Sequence, residues 1–195
     1  RYSRGNYYSR WSALAGDFAM TISLAIDTST SKTIVAIIED GAVLFEESHE
    51  GATDHGRALS ELVAKALKVS KPPHQVVVGM GPGPFTGLRV GIAFAQTFAL
   101  ARDIPVVGVC SLDAIKVDQN QYTVAVDARR KEIYWASYKD GVRIDGPHVN
   151  KPAEVENFII DVYPDMGRLV ELSKTQNITD PMYLRRPDAV PTAER

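Results

Sequence analysis

The chain is poor in the residues that build disulfides and metal centres. Cys110 is its single cysteine, which rules out an internal disulfide and a cysteine-based metal site. Its setting, Val106-Val-Gly-Val-Cys110, is that of a small core residue. The four histidines, His49, His55, His74 and His148, are scattered and lack the spacing of a ligand set. No dense basic run exists and the net charge is −2, which argues against nucleic-acid binding by bulk electrostatics. A basic patch assembled by folding stays open. No Ser-His-Asp constellation is readable: Ser111 and Asp113 have no histidine near them in sequence, so no peptidase is expected. Apolar runs long enough for a signal peptide or a membrane span are also missing, and the expected compartment is the cytoplasm.

What is present is an ordinary globular composition, 45% hydrophobic and 24% charged, in a chain of 195 residues that can bury a real core. Residues 1–19 have no hydrophobic period and are set apart as an extension outside the fold. Met20, followed by Thr-Ile-Ser-Leu-Ala-Ile-Asp27, reads as the start of the first strand. The expected organisation is a first lobe over 20–117 and a shortened second lobe with a tail over 118–195.

The most informative stretch is Gly79-Met-Gly-Pro-Gly-Pro-Phe-Thr-Gly-Leu-Arg-Val-Gly91. A buried strand, Gln75–Gly79, runs into a loop shaped by glycine and proline, and a helix is expected over 86–102. Such a loop can cradle phosphate, but it lacks the Lys-Ser/Thr ending of a P-loop and the spacing of a dinucleotide fingerprint. The structural alternative is a loop that lets the next helix pack closely on the sheet, and it is preferred. The helix itself carries Gly87, Gly91 and Ala95 at intervals of four. Leu88, Ile92, Phe94, Phe98 and Leu100 leave it little polar surface, so more than one side must be covered. Either its own fold covers it or a partner does. Leu59, Leu62, Val63, Ala66 and Leu67 give the preceding helix, over 54–68, an amphipathic stripe.

A repeat is written into the chain. Leu24-Ala-Ile-Asp through Asp40-Gly41 recurs one hundred residues later as Val124-Ala-Val-Asp through Asp140-Gly141. Ala25, Asp27, Ala36, Asp40 and Gly41 match Ala125, Asp127, Ala136, Asp140 and Gly141 without a gap. Each copy reads as three antiparallel strands with an Asp-Gly hairpin: Ile22–Asp27, 33–38 and 42–48, then 122–127, 132–138 and 142–149. Helix, strand 75–79, helix and strand 105–109 complete the first copy, the last strands joining in parallel. In the second, helices are expected over 152–160 and 165–174, with an irregular surface tail over 180–188. The fold class is α/β with duplicated βββαβα lobes, the second abbreviated. That architecture resembles the actin-like, sugar-kinase and Hsp70 superfamily.

The segments Ala25-Ile-Asp-Thr-Ser, Gly81-Pro-Gly-Pro-Phe-Thr-Gly-Leu-Arg-Val-Gly91, Ile104-Pro-Val-Val-Gly-Val, Val126-Asp-Ala-Arg129 and Tyr183-Leu-Arg-Arg186 resemble the TsaB (YeaZ) family. The likeness runs from about Met20 to Asp188. It implies a dimerisation subunit of the bacterial complex that makes threonylcarbamoyladenosine at position 37 of tRNA. The catalytic paralogue, TsaD, places a His-x-x-x-His metal pair after the Ile-Pro-x-x-x-Val strand. Here those places hold Ser111 and Ile115, which cannot replace two imidazoles. The resemblance therefore implies a non-catalytic scaffold with no cofactor and no metal of its own. Its partners would be TsaD and TsaE, with a homodimer when alone and tRNA met only through the complex. The segment between 149 and 180 is shorter than the family usually has.

The residues support two site readings. Asp27, Thr28, Ser29, Gly81, Gly83 and Thr86 sit where this superfamily holds phosphate, so they are candidates for a vestigial nucleotide site. The alternative, an aspartate closing a tight turn, is preferred for both Asp27 and Asp127. Leu59, Leu62, Val63, Gly87, Leu88, Gly91, Ala95 and Phe98 are the candidate interface, since TsaB proteins pair through these helices. A nucleotide-dependent enzyme such as a small kinase is the rival function.

Overall fold

The structure, a computed structural model, describes residues 20–185 apart from Ala52. The extension assigned to 1–19 and the end of the tail from Arg186 lie outside the described residues. The first lobe runs β1 (Ile22–Asp27), β2 (Lys32–Glu39), β3 (Ala42–Glu50), α1 (His55–Ala66), β4 (Gln75–Gly79), α2 (Phe85–Arg102) and β5 (Val106–Val109). Its sheet has the order β3-β2-β1-β4-β5, antiparallel across β1–β2–β3 and parallel across β1–β4–β5. β6 (Gln121–Asp127), β7 (Ile133–Lys139), β8 (Val142–Asn150) and β9 (Phe158–Ile159) form the second sheet, ordered β8-β7-β6-β9. β9 lies parallel to β6 just as β4 lies parallel to β1. The architecture is the expected α/β duplication of a three-stranded unit, with a reduced second copy.

Apolar periodicity explains the layers. In β1, Ile22, Leu24 and Ile26 face α1 and α2, while Ala25 faces the opposite side, covered by α3 (Met166–Leu172) through Met166, Leu169 and Val170. Burial on both faces is why the strand reads as a nearly unbroken apolar run. The second sheet turns Val124, Val126, Tyr134, Ala136 and Tyr138 toward Cys110, Leu112 and Ile115, joining the two sheets into one body. Cys110 is a core residue there, and burial pushes its thiol up to about 12. The repeat survives in fine geometry. Asp40 and Asp140 both take left-handed backbone, φ 48° and 51°, and Gly41 and Gly141 come next in the hairpins.

One expected element is different. Residues 152–160 do not form a helix: a short 3-10 turn at Pro152–Glu154 gives way to extended backbone and β9. Val155, Phe158 and Ile159 favour strand, and Asn157 at φ 50° breaks any helical run. Pairing with the open edge of β6 then decides the outcome. The tail is irregular over 180–185, as expected, and crosses both lobes. Ile178 N donates to Gly108 O at 2.8 Å, Met182 N donates to Met80 O at 2.8 Å, and Tyr183 packs on Phe85 at 4.8 Å.

Candidate functional site

The duplicated turns after β1 and β6 stand at the ends of equivalent strands, and each begins with the same device. Asp27 Oδ1 accepts from Ser29 N at 2.8 Å, and Asp127 Oδ1 accepts from Arg129 N at 2.8 Å. The aspartate closes its own turn in both places, the reading preferred from the sequence.

Their surroundings differ completely. Asp27, Thr28 and Ser29 are almost fully buried, and the glycine-rich loop lies over them. Asp27 Oδ1 also accepts from Ser29 Oγ at 2.7 Å, and Oδ2 accepts from Ser111 Oγ at 2.6 Å. Ser111 Oγ in turn accepts from Gly81 N at 3.2 Å, and Thr28 Oγ1 donates to Gly87 O at 2.8 Å. Gly79 lies against the Asp27 carboxylate and Ser111, Gly83 and Gly87 against the backbone of Ser29 and Thr28, and Gly91 against the Thr28 side chain. No side chain fits between loop and turn. Burial raises the Asp27 pKa, opposed by the hydrogen bonds from Ser111 and Ser29 and by the nearby His55. His55 is itself buried and hydrogen-bonded to Thr33 Oγ1 at 2.8 Å. Desolvation holds its imidazole below its ordinary pKa, with Asp27 opposing and Arg129 reinforcing the shift.

The candidate phosphate residues are thus brought together, but around one another. Asp27, Thr28, Ser29, Gly81 and Gly83 are interior, and Thr86 alone of the six is exposed, in the first turn of α2. Among the described residues no buried side-chain nitrogen or oxygen lacks a partner. Ser111 and Ile115, singled out in the sequence, are an internal donor to Asp27 and a core side chain.

The turn after β6 has no such cover. Asp127, Arg129, Arg130 and Lys131 are exposed, and Arg129 pairs with Asp127 at 3.3 Å. Arg129, Arg130 and Lys131 occupy left-handed backbone in succession, φ 63°, 55° and 63°. For residues with a Cβ that conformation costs roughly 1 kcal/mol each. The turn is held by Ala128 N donating to Glu132 O at 2.9 Å and by Arg185, which pairs with Glu132 and donates to Arg129 O. Between the two turns runs a groove of ≈ 250 Å³ lined by Thr30, Ser31, Glu50, Pro84, Asp127, Arg129 and Asp161, among others.

The candidate interface requires a correction. Leu59, Leu62, Val63, Gly87, Leu88, Gly91, Ala95 and Phe98 are all buried by the chain itself, in the core beneath α1 and α2 or against the Asp27 turn. The small-residue ridge is filled by Thr28 and His55, which leaves no room there for a partner. The outer surface of α2 is made by other residues: Phe85, Arg89, Ala93 and Leu100, the last 83% exposed. Arg89 lies over the Phe85 ring at 4.0 Å and Arg102 over Phe98 at 3.8 Å.

Sequence reasoning assigned no role to three further groups. Asp113 accepts from Tyr138 Oη and Gln176 Nε2, both at 2.9 Å, and pairs with Arg143, tying tail and second sheet to the first. His55 carried no motif. Arg129-Arg130-Lys131 could have been found, because the repeat aligns it with Ser29-Thr30-Ser31.

Residues 47–187 match the family model described as TsaD: tRNA N6-adenosine threonylcarbamoyltransferase. An uncharacterized protein of Mycobacterium tuberculosis is 41% identical over 199 residues, covering 87% of this chain and 94% of its own length. The tRNA threonylcarbamoyladenosine biosynthesis protein TsaB of Escherichia coli is 35% identical over 128 residues, covering 60% of this chain and 54% of its own. The chain therefore spans little more than half of that relative. YeaZ from Pseudomonas aeruginosa superposes with a TM-score of 0.67 at 25% identity, over 80% of this chain and 91% of that one. The chain belongs to the TsaD-type family, and within it to the TsaB (YeaZ) branch, a family of tRNA threonylcarbamoyladenosine biosynthesis.

Proposed function

We propose that the chain is a non-catalytic dimerisation subunit that pairs with TsaD and supports transfer of threonylcarbamoyl to N6 of adenosine 37 in tRNA. The observation that carries this reading is the closure of the Asp27 turn. Its carboxylate, hydroxyls and covering glycine loop bond to one another, so the strand end serves the fold instead of a ligand. Ser111 takes part in that closure from the place where the paralogue would put a histidine. The chemistry would then belong to TsaD, in the cytoplasm, with TsaE as a third partner and self-pairing when TsaD is absent.

The docking surface would be the outer face of α2. Phe85 and Leu100 expose apolar side chains toward its two ends, and Arg89 lies over the Phe85 ring between them. Size-exclusion chromatography with light scattering, on the chain alone and mixed with TsaD, tests it. A one-to-one pair with TsaD is expected, and Leu100→Glu should abolish it while the thermal melt stays within about 1 °C, since an exposed position carries little stability. Separate elution of the two native proteins would overturn the reading. The rival, a nucleotide-dependent enzyme, predicts tight Mg-ATP binding in the groove between the turns. That groove sets Arg129, paired with Asp127 at 3.3 Å, beside Glu50 and Asp161, and calorimetry with Mg-ATP on the isolated chain decides between the two readings.

A further inference from the structure

The tail brings an aromatic ring to the start of α2. Met182 and Leu184 pack against the core beneath the second sheet, and Met182 N donates to Met80 O in the glycine-rich loop. Arg185 pairs with Glu132 just beyond. Anchored on both sides, Tyr183 stands at the surface on a preorganised backbone, 37% exposed. Its ring meets Phe85, the first residue of α2 and 41% exposed, at 4.8 Å. Among the described residues these two are the only aromatics of the exposed large hydrophobic side chains, and they touch each other. A single exposed apolar side chain is ordinary. Adjoining rings beside an arginine have the composition of an interface centre.

Charge narrows what can cover them. Arg89, one turn along α2, lies over the Phe85 ring at 4.0 Å. No carboxylate pairs with it among the described residues, and α2 holds no aspartate or glutamate along its whole length. The glycine-rich loop that leads into the helix, 79–84, is uncharged as well. The corner therefore offers a guanidinium without an internal partner next to two half-open rings. A complementary surface needs a carboxylate set beside apolar side chains. We propose that Tyr183, Phe85 and Arg89 form one contact corner for TsaD, which brings to it a carboxylate flanked by apolar groups. This rests on the proposed pairing, and it extends the docking face from α2 onto the tail.

Isothermal titration calorimetry of the full chain with TsaD, at low and at high salt, tests the corner. Tyr183→Ala should weaken pairing at least about tenfold, as loss of a central aromatic contact does. Tyr183→Phe keeps the ring and should pair as the native chain does. Arg89→Glu should weaken pairing at least about tenfold at low salt, and less at high salt where the charges are screened. Because Tyr183→Ala also gives up its contact with Phe85, the native chain supplies a second readout. TsaD should suppress iodination of Tyr183, followed by mass spectrometry of its peptide. Unsuppressed iodination in the native pair, or native affinity in Tyr183→Ala, overturns the assignment of the tail. Native affinity in Arg89→Glu overturns the carboxylate. Should Tyr183→Ala lose self-association and keep its affinity for TsaD, the corner belongs to a second copy and the assignment to TsaD falls. Failure of the native chain to pair refutes the function itself, whereas pairing that none of these variants alters refutes this corner alone.

Discussion

Two turns descend from one repeated pattern and have opposite fates. After β1 the Asp-Thr-Ser-Thr turn is sealed under a glycine-rich loop, and each of its polar groups bonds inward. After β6 the Asp-Ala-Arg-Arg-Lys turn keeps the same aspartate bond but stands in solvent with strained backbone. The difference lies in the elements downstream of each three-stranded unit. The first lobe supplies α1, β4 and α2, whose loop closes over the turn. The second supplies a 3-10 turn and a two-residue strand, which leave the turn exposed. A shared local motif therefore fixes the turn's shape, and the later chain decides whether it becomes core or surface.

The largest effect should come from wedging the cover off the first turn. Gly91 lies on the Thr28 side chain, so Gly91→Leu forces α2 away from β1 and opens the Asp27 network with it. A loss of about 3 kcal/mol or more is expected, a large share of the roughly 5–15 kcal/mol that holds a domain. Urea denaturation measures it. A folded Gly91→Leu chain of native stability that merely fails to pair with TsaD would mean that the ridge faces a partner after all.

That expectation reverses what the sequence suggested, and the reason is physical. An apolar helix with Gly87, Gly91 and Ala95 announces close approach on one side but does not say to what. The strands, the Asp-Gly hairpins and the two-sided burial of β1 were legible, because alternation and turn chemistry are local. The 152–160 segment was misread as helix, since Pro152 and Glu154 look like a helix start until the open edge of β6 is known. The closure of the glycine loop over Asp27 joins residues more than fifty positions apart, and Ser111 arrives from farther still. No window of the sequence holds that information.

A smaller effect should separate the two aspartates. Asp27→Ala leaves the Ser111 hydroxyl and the Ser29 N–H and hydroxyl buried without their acceptor, and should cost about 3 kcal/mol. Asp127→Ala removes a similar turn bond in solvent and should cost about 1 kcal/mol or less. Acidity gives a finer readout through Asp27→Asn. Burial raises the folded pKa of Asp27 above the ordinary 3.8, so the folded state binds that proton more tightly than the unfolded chain. The contribution of this group is fully present below 3.8 and falls as pH rises through the raised value. The native chain's advantage over Asp27→Asn should therefore be greatest near that acid limit and shrink toward neutral pH. Equal melting differences across that range would place the Asp27 carboxyl in water.

The smallest effect has the opposite sign, and it belongs to the exposed turn. Arg130 holds φ 55° with a full side chain, so the native chain carries there a strain that the buried turn does not show. Arg130→Gly removes the clash of Cβ with its own backbone, but it also loosens the unfolded chain, and the two partly cancel. A net gain of about 0.5 kcal/mol is expected, which is roughly 1–2 °C in the melt for a chain of this size. The same replacement at Thr28 should destabilise, because that residue donates to Gly87 O and fills the space beside Gly91. If glycine instead lowers the melt at Arg130, the arginine side chain packs favourably enough to offset its backbone strain. The turn would then be held by contacts and not merely tolerated.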